Sequence, residues 1–251
     1  VAGQLAFGLG AAYAIRNGYV DGDSRENLRF YRPSRRGIDS GSPADSASDQ
    51  MVWDPAAGWT ATHDVKSGRG LVWLLDGARV MMFYNNISAV SARHVEAFPN
   101  KWGVDPLYMF DNCSVSAVAA DWYYHRQPIP AGETWETRVH LIALQEMLPV
   151  IHACPKFIAG AQLEENERTL HLRFHQALTD FRELIVSAEM SAPGTSEIAT
   201  LLDRHRLSEQ LSPTPVDVAV DYPPDLPKNA VVEVSVSGID ESRTRRTITF
   251  Y

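Results

Sequence analysis

Hydrophobic and polar residues alternate one for one along several stretches of this chain. Around the run Glu133-Thr134-Trp135-Glu136, the residues Trp135, Thr137, Val139, Leu141 and Ala143 fall on one face of an extended backbone. Thr134, Glu136, Arg138 and His140 fall on the other. A period of two marks a half-buried antiparallel strand. The same pattern sets Leu170, Leu172 and Phe174 against His171, Arg173 and His175. Further strand-like runs lie at 59–65, 71–75, 79–84, 107–110 and 113–119, and later at 216–220, 231–236 and 247–251. Turn signals separate them: Ser67-Gly68-Arg69-Gly70, Asp76-Gly77 and Asn85-Asn86. Asp76-Gly77 between two apolar runs predicts a tight hairpin, because Gly tolerates the positive φ such turns need. Residues 32–50 are dominated by Arg, Ser, Asp, Gly and Pro and read as a long exposed loop.

Pro149 and Pro155 interrupt the pattern near 147–156. The expected architecture is therefore all-β: an antiparallel β-sandwich over residues 1–150, then a second, smaller β-sandwich over 151–251. Two segments carry helical spacing instead. Phe174, Leu178, Phe181 and Ile185 repeat every three to four residues, as do Ile198, Leu201, Leu202 and His205 after a possible cap at Ser196. Strands are favoured there, with an α+β second half as the alternative.

With 251 residues and 45% hydrophobic content, the chain can build one large β domain or two smaller ones. Its net charge of −8 argues against a general nucleic-acid binder, which needs a basic surface to displace counterions. No run reaches the roughly 20 apolar residues of a membrane-spanning helix. The uncharged, Ala- and Gly-rich residues 1–15 read as buried strand and turn of a processed or truncated chain. Cys113 and Cys154 are compatible with one disulfide or two thiols, and their separation marks neither a zinc nor a redox motif. No phosphate loop, nucleophile elbow or His-Glu-x-x-His appears, so no cofactor or metal is expected.

The richest candidate site is the loop holding Arg93, His94, Glu96, Lys101, Trp102, Asp105 and Tyr108. Function concentrates in loops mounted on rigid scaffolds. An aromatic face beside carboxylates and basic groups suits a sugar ring: Trp102 stacks, while Arg93, Lys101, Asp105 and Tyr108 bind hydroxyls. His94 and Glu96 are the candidate acid/base pair. The competing reading makes the aromatics packing residues and the charges a solvated loop. His63 beside Asp64 points to the opposite face of a strand, so adjacency alone makes no dyad. His171 and His175 lie about 13 Å apart along a strand, too far to share one ion. Asp21, Asp23 and Glu26 do not fit a twelve-residue calcium loop.

The segments Asp111-Asn112-Cys113-Ser114-Val115 and Pro130-Ala131-Gly132-Glu133-Thr134-Trp135, followed by a long alternating strand, resemble the late strands of β-supersandwich modules. These belong to the galactose-mutarotase-like group found in sugar epimerases, polysaccharide lyases and glycoside hydrolases. The likeness covers residues 55–146, and the part after residue 155 resembles an immunoglobulin-like sandwich. The resemblance implies a carbohydrate-binding or carbohydrate-processing protein of a larger polysaccharide-degrading system, secreted or periplasmic, with a glycan partner and further domains or subunits. If catalytic, it would be a lyase or hydrolase. Mutarotases of the group move protons with His and Glu, but no local motif aligns those roles to positions here. The alternative is a structural or assembly β protein without catalysis.

Overall fold

The computed structural model describes residues 3–5, 8–13, 27–42, 50–75, 80–86, 118–125, 127–164, 166–179, 184–191, 198–207, 214–223, 230–238 and 243–249. Among them the chain is nearly all β, with no helix. The strands in chain order are β1 (Gly3–Leu5), β2 (Gly8–Tyr13), β3 (Leu28–Ser34), β4 (Gly37–Gly41), β5 (Gln50–Trp53), β6 (Trp59–Asp64), β7 (Arg69–Leu75), β8 (Val80–Asn86), β9 (Val118–Tyr124) and β10 (Gln127–Ile129). There follow β11 (Val139–Leu144), β12 (Val150–Ala153), β13 (Phe157–Glu164), β14 (Thr169–Gln176), β15 (Leu184–Ser191), β16 (Ile198–Leu207), β17 (Val216–Asp221), β18 (Val231–Gly238) and β19 (Arg243–Thr249). No helix among the described residues is long and apolar enough to cross a membrane.

The chain forms two compact units. The first comprises residues 1–35, 39–66 and 75–140, and the second 36–38, 67–74 and 141–251. In the first, β2, β9, β8 and β5 make a four-stranded antiparallel sheet, β1 pairs with β10, and β3 pairs with β6. Phe30, Trp59, Phe83, Trp122 and Tyr124 fill its interior. Both edges of β8 are occupied, by β5 and β9. The run after Asp76-Gly77 thus belongs to a different sheet from β7, and the tight turn expected at Asp76-Gly77 itself lies outside the described residues. Within the expected loop at 32–50, the residues up to Gly41 form strand and turn, and 43–49 lie outside the described residues. Its beginning closes β3, turns at Arg35-Arg36 and returns as β4. Gly37, at φ +123°, permits that turn. The buried Arg32 guanidinium pairs with the Asp39 carboxylate at 2.5 Å. Burial works against its charge, and Asp39 opposes that effect.

The motif around Trp135 behaves differently from its alternation. No strand forms from 133 to 138, and β11 begins at Val139. Glu133 N–H donates to Pro130 C=O at 3.1 Å, closing a turn in which Gly132 has φ +84°. Trp135 then packs edge-on against Tyr124, with centroids 5.3 Å apart, and the Thr137 hydroxyl donates to the Tyr124 oxygen at 3.0 Å. Side-chain contacts replace a ladder here, so nothing holds the two-residue phase. By β11 it has reversed: Leu141 is 58% exposed, while Leu144 is buried.

The second unit is a β-sandwich. One antiparallel sheet runs β12-β13-β14-β17 and the other β16-β15-β18-β19. Phe157, Leu170, Leu172 and Phe174 from the first sheet share one core with Leu184, Val186, Ala188, Val232, Val234 and Val236 from the second. β15 alternates buried and half-buried residues along its whole length. Of the segments whose spacing was compatible with helix, Phe174 lies in β14, Ile185 in β15 and Ile198, Leu201, Leu202 and His205 in β16, while Phe181 lies outside the described residues. The in-facing side chains of these strands complete a two-sheet core, which overrides local periodicity.

The stretch 145–149 lies over the outer face of β13. A Cβ on Gly160 would meet Leu148 Cβ at 2.8 Å and its carbonyl oxygen at 3.0 Å, so only Gly fits. Arg173 clamps this stretch. It donates to Glu146 C=O and forms a two-pronged pair with Asp217 at 2.6 Å. Met147 N–H donates to Gly68 C=O at 2.7 Å.

Candidate functional site

Arg93, His94, Glu96, Lys101, Trp102, Asp105 and Tyr108 all lie outside the described residues, as do Cys113, Asp21, Asp23 and Glu26. The other sequence candidates are placed. His63 is buried on β6, opposite Arg29 of β3, with its ring 6.3 Å from that of Tyr31. Neither imidazole nitrogen finds a hydrogen bond among the described residues. Burial pushes the imidazole down and the Tyr31 phenol up to about 12, so both are neutral at neutral pH. Asp64 turns away and accepts from Lys66 N–H at 3.0 Å. With His63 and Tyr31 both buried, this is an interior polar contact rather than a place for a ligand.

His171 and His175 occupy the same face of β14, separated by Arg173. His171 Nε2 lies 3.3 Å from a Glu164 carboxylate oxygen, and Glu167 approaches the same point. The three ligand atoms lie within 4.8 Å of one another, but both carboxylates are exposed at a hairpin end, where acidic groups commonly gather without an ion. Cys154 is a free thiol, donating weakly to Phe157 C=O at 3.5 Å. Glu133 and Glu136 are exposed.

The described residues do form a cleft on the outer face of the β15–β16–β18 sheet in the second unit. Its origin is a register defect. Val186 pairs with His205 and Ala188 with Leu202, so Ser187 faces two residues of β16, Asp203 and Arg204. A second shift follows before Glu189 pairs with Thr200. Arg204 takes φ +46°, which side-chain-bearing residues rarely adopt, and its N–H donates to Ser187 Oγ at 3.1 Å. The bulge kinks β16 and carries Asp203 and Arg204 to the cleft rim.

The regular strands supply the floor. Ile185, Ser187 and Glu189 of β15 alternate with core residues and point outward. Ser235 pairs with Ser187 and Ser237 with Ile185 across to β18. Thr200 and Leu202 of β16 complete the lining. The open cleft has a volume of about 620 Å³, within the range of small-molecule sites. Four hydroxyls, two carboxylates and one guanidinium face it, with Ile185 and Leu202 as the apolar portion.

No known relative decides the matter. The chain matches no protein-family model, no curated protein and no solved structure. The chemistry must be read from the cleft. Hydroxyls both donate and accept, carboxylates only accept, and the guanidinium only donates. Such a mixture satisfies a ligand that carries many hydroxyls. Two carboxylates against one guanidinium leave the cleft acidic and unsuited to an anion. Sequence reasoning missed this site because its defining feature is a bulge. The only trace is the run of small polar residues at alternate positions (Ser187, Ser235, Ser237), which resembles any solvated strand face.

Proposed function

We propose that this protein binds a neutral, hydroxyl-rich ligand, a glycan or its oligosaccharide fragment, in the β15–β16–β18 cleft. The observation that carries the reading is the bulge at Asp203-Arg204, which gathers charged acceptors and a donor around a floor of hydroxyls. Backbone strain at a residue with a side chain, next to a bulge, is characteristic of functional sites. The resemblance of residues 55–146 to modules of carbohydrate-active proteins supports the same ligand class. The sandwich of the second unit also suits the immunoglobulin-like companion that such modules often carry.

The test is affinity electrophoresis of the whole chain through gels containing xyloglucan, galactomannan, mixed-linkage β-glucan or pullulan. Glu189→Ala and Asp203→Ala would be run beside the wild type. Each variant removes a charge-assisted acceptor and is expected to weaken retardation about tenfold. Equal retardation of both variants and the wild type would sink the proposal, as would no retardation by any polymer. An oligomer on sizing, together with no glycan affinity, would instead favour a structural or assembly role.

A further inference from the structure

We infer a second glycan contact, independent of the cleft, in the first unit: a stacking platform made by Trp53 with Met51 on β5, flanked by the Arg35–Asp54 ion pair. Trp53 is 62% exposed and Met51 54%, while Val52 between them is buried. The core therefore fixes the strand's phase, and the two outward positions are free of packing demands. Of the other described tryptophans, Trp59, Trp73 and Trp122 are buried and Trp135 is half-buried. An indole left in water forgoes the burial that normally stabilises it.

The platform is tied into the sheet by backbone hydrogen bonds. Among the described residues β5 is the edge strand of its sheet, and its end is held where Asp54 N–H donates to Met81 C=O at 2.8 Å. Asp54 adopts φ +49° there, and Ala56 N–H donates to Pro33 C=O at 3.1 Å. The Asp54 carboxylate accepts from the Arg35 guanidinium, and both side chains are largely exposed.

Size and charge select the occupant. Two side chains offer far less than the roughly 800 Å² per partner that a stable protein interface needs. They match one pyranose ring, whose C–H face packs on the indole π-surface. The adjoining ion pair presents donors and acceptors side by side for neighbouring hydroxyls and carries no net charge. The chain's −8 disfavours a polyanion. A neutral polysaccharide chain is the partner that fits.

The experiment uses the full chain labelled with 5-fluorotryptophan, its Trp53 resonance assigned through Trp53→Phe, and titrated with oligosaccharides of the four polymers named above. The Trp53 resonance is expected to shift with at least one of them. Trp53→Ala should weaken gel retardation about tenfold while Trp53→Phe keeps most of it. Because the residue is exposed, the melting temperature of Trp53→Ala should match the wild type. The shift should survive in Glu189→Ala and Asp203→Ala, which separates this site from the cleft. Four outcomes overturn the inference: an unmoved Trp53 resonance with every sugar, undiminished retardation of Trp53→Ala, loss of retardation in Trp53→Phe equal to that in Trp53→Ala, or a dimer that Trp53→Ala dissociates.

Discussion

Acid should destabilise the second unit through His175. This imidazole is 4% exposed on β14, paired across the ladder with Ile158, and its Nε2 has no hydrogen-bond partner among the described residues. Burial pushes it from 6.5 down to about 4. Arg173 pushes in the same direction, and Asp217 opposes. The unfolded chain binds the proton more readily than the folded one between these values. Stability is therefore full above pH 6.5 and falls as the pH drops toward 4. Relative to pH 7.5, the loss from this one group is on the order of 1 kcal/mol at pH 5.5 and of 2–3 kcal/mol at pH 4.5. Urea unfolding at the three pH values, for wild type and His175→Gln, would measure it. The variant should lose most of that difference whatever its stability at pH 7.5. The reasoning is refuted if wild type and variant show the same pH dependence, or if the His175 ring protons titrate near 6.5 by NMR.

Three further outcomes follow from the packing. Gly160→Ala should cost about 1–3 kcal/mol, because the new methyl meets Leu148 backbone as well as its Cβ; an unchanged urea midpoint would contradict the close approach. Leu172→Ala, at a fully buried position in the sandwich core, should cost about 2–5 kcal/mol by the same assay. Asp217→Asn removes the charged partner of Arg173 and should cost only about 0.5–1 kcal/mol, since the pair is partly solvated. The Arg173 guanidinium holds the Asp217 carboxyl below its usual range. That contribution is present above the ordinary carboxylate range and fades as the pH falls below it, and in the variant it should be absent.

The β class was legible because burial on one face of a strand writes itself into every second residue, as at Leu170, Leu172 and Phe174. The helical spacing of Ile198, Leu201 and Leu202 was a by-product of bulges: extra residues shift the phase of β16 and counterfeit a longer period. At Trp135 the alternation was present without a partner strand, and pairing is a long-range property that a local pattern does not contain. The cleft was illegible because its polar groups are ordinary on a strand face and become a site only through a register defect. Trp53 could not be separated from the core tryptophans, because exposure depends on which side of β5 meets the interior.

The second unit draws its residues from three separated pieces of the chain. A ribosome delivering this protein from its amino end would release 36–38 and 67–74 well before the stretch from 141 onward that completes their unit. Those early pieces must wait, with the edge of β7 that pairs with β11 left open. Vectorial synthesis thus imposes a delay in which holdase chaperones have something to grip. A protein cut at residue 151 would inherit the sandwich sheets without the early pieces that belong with them.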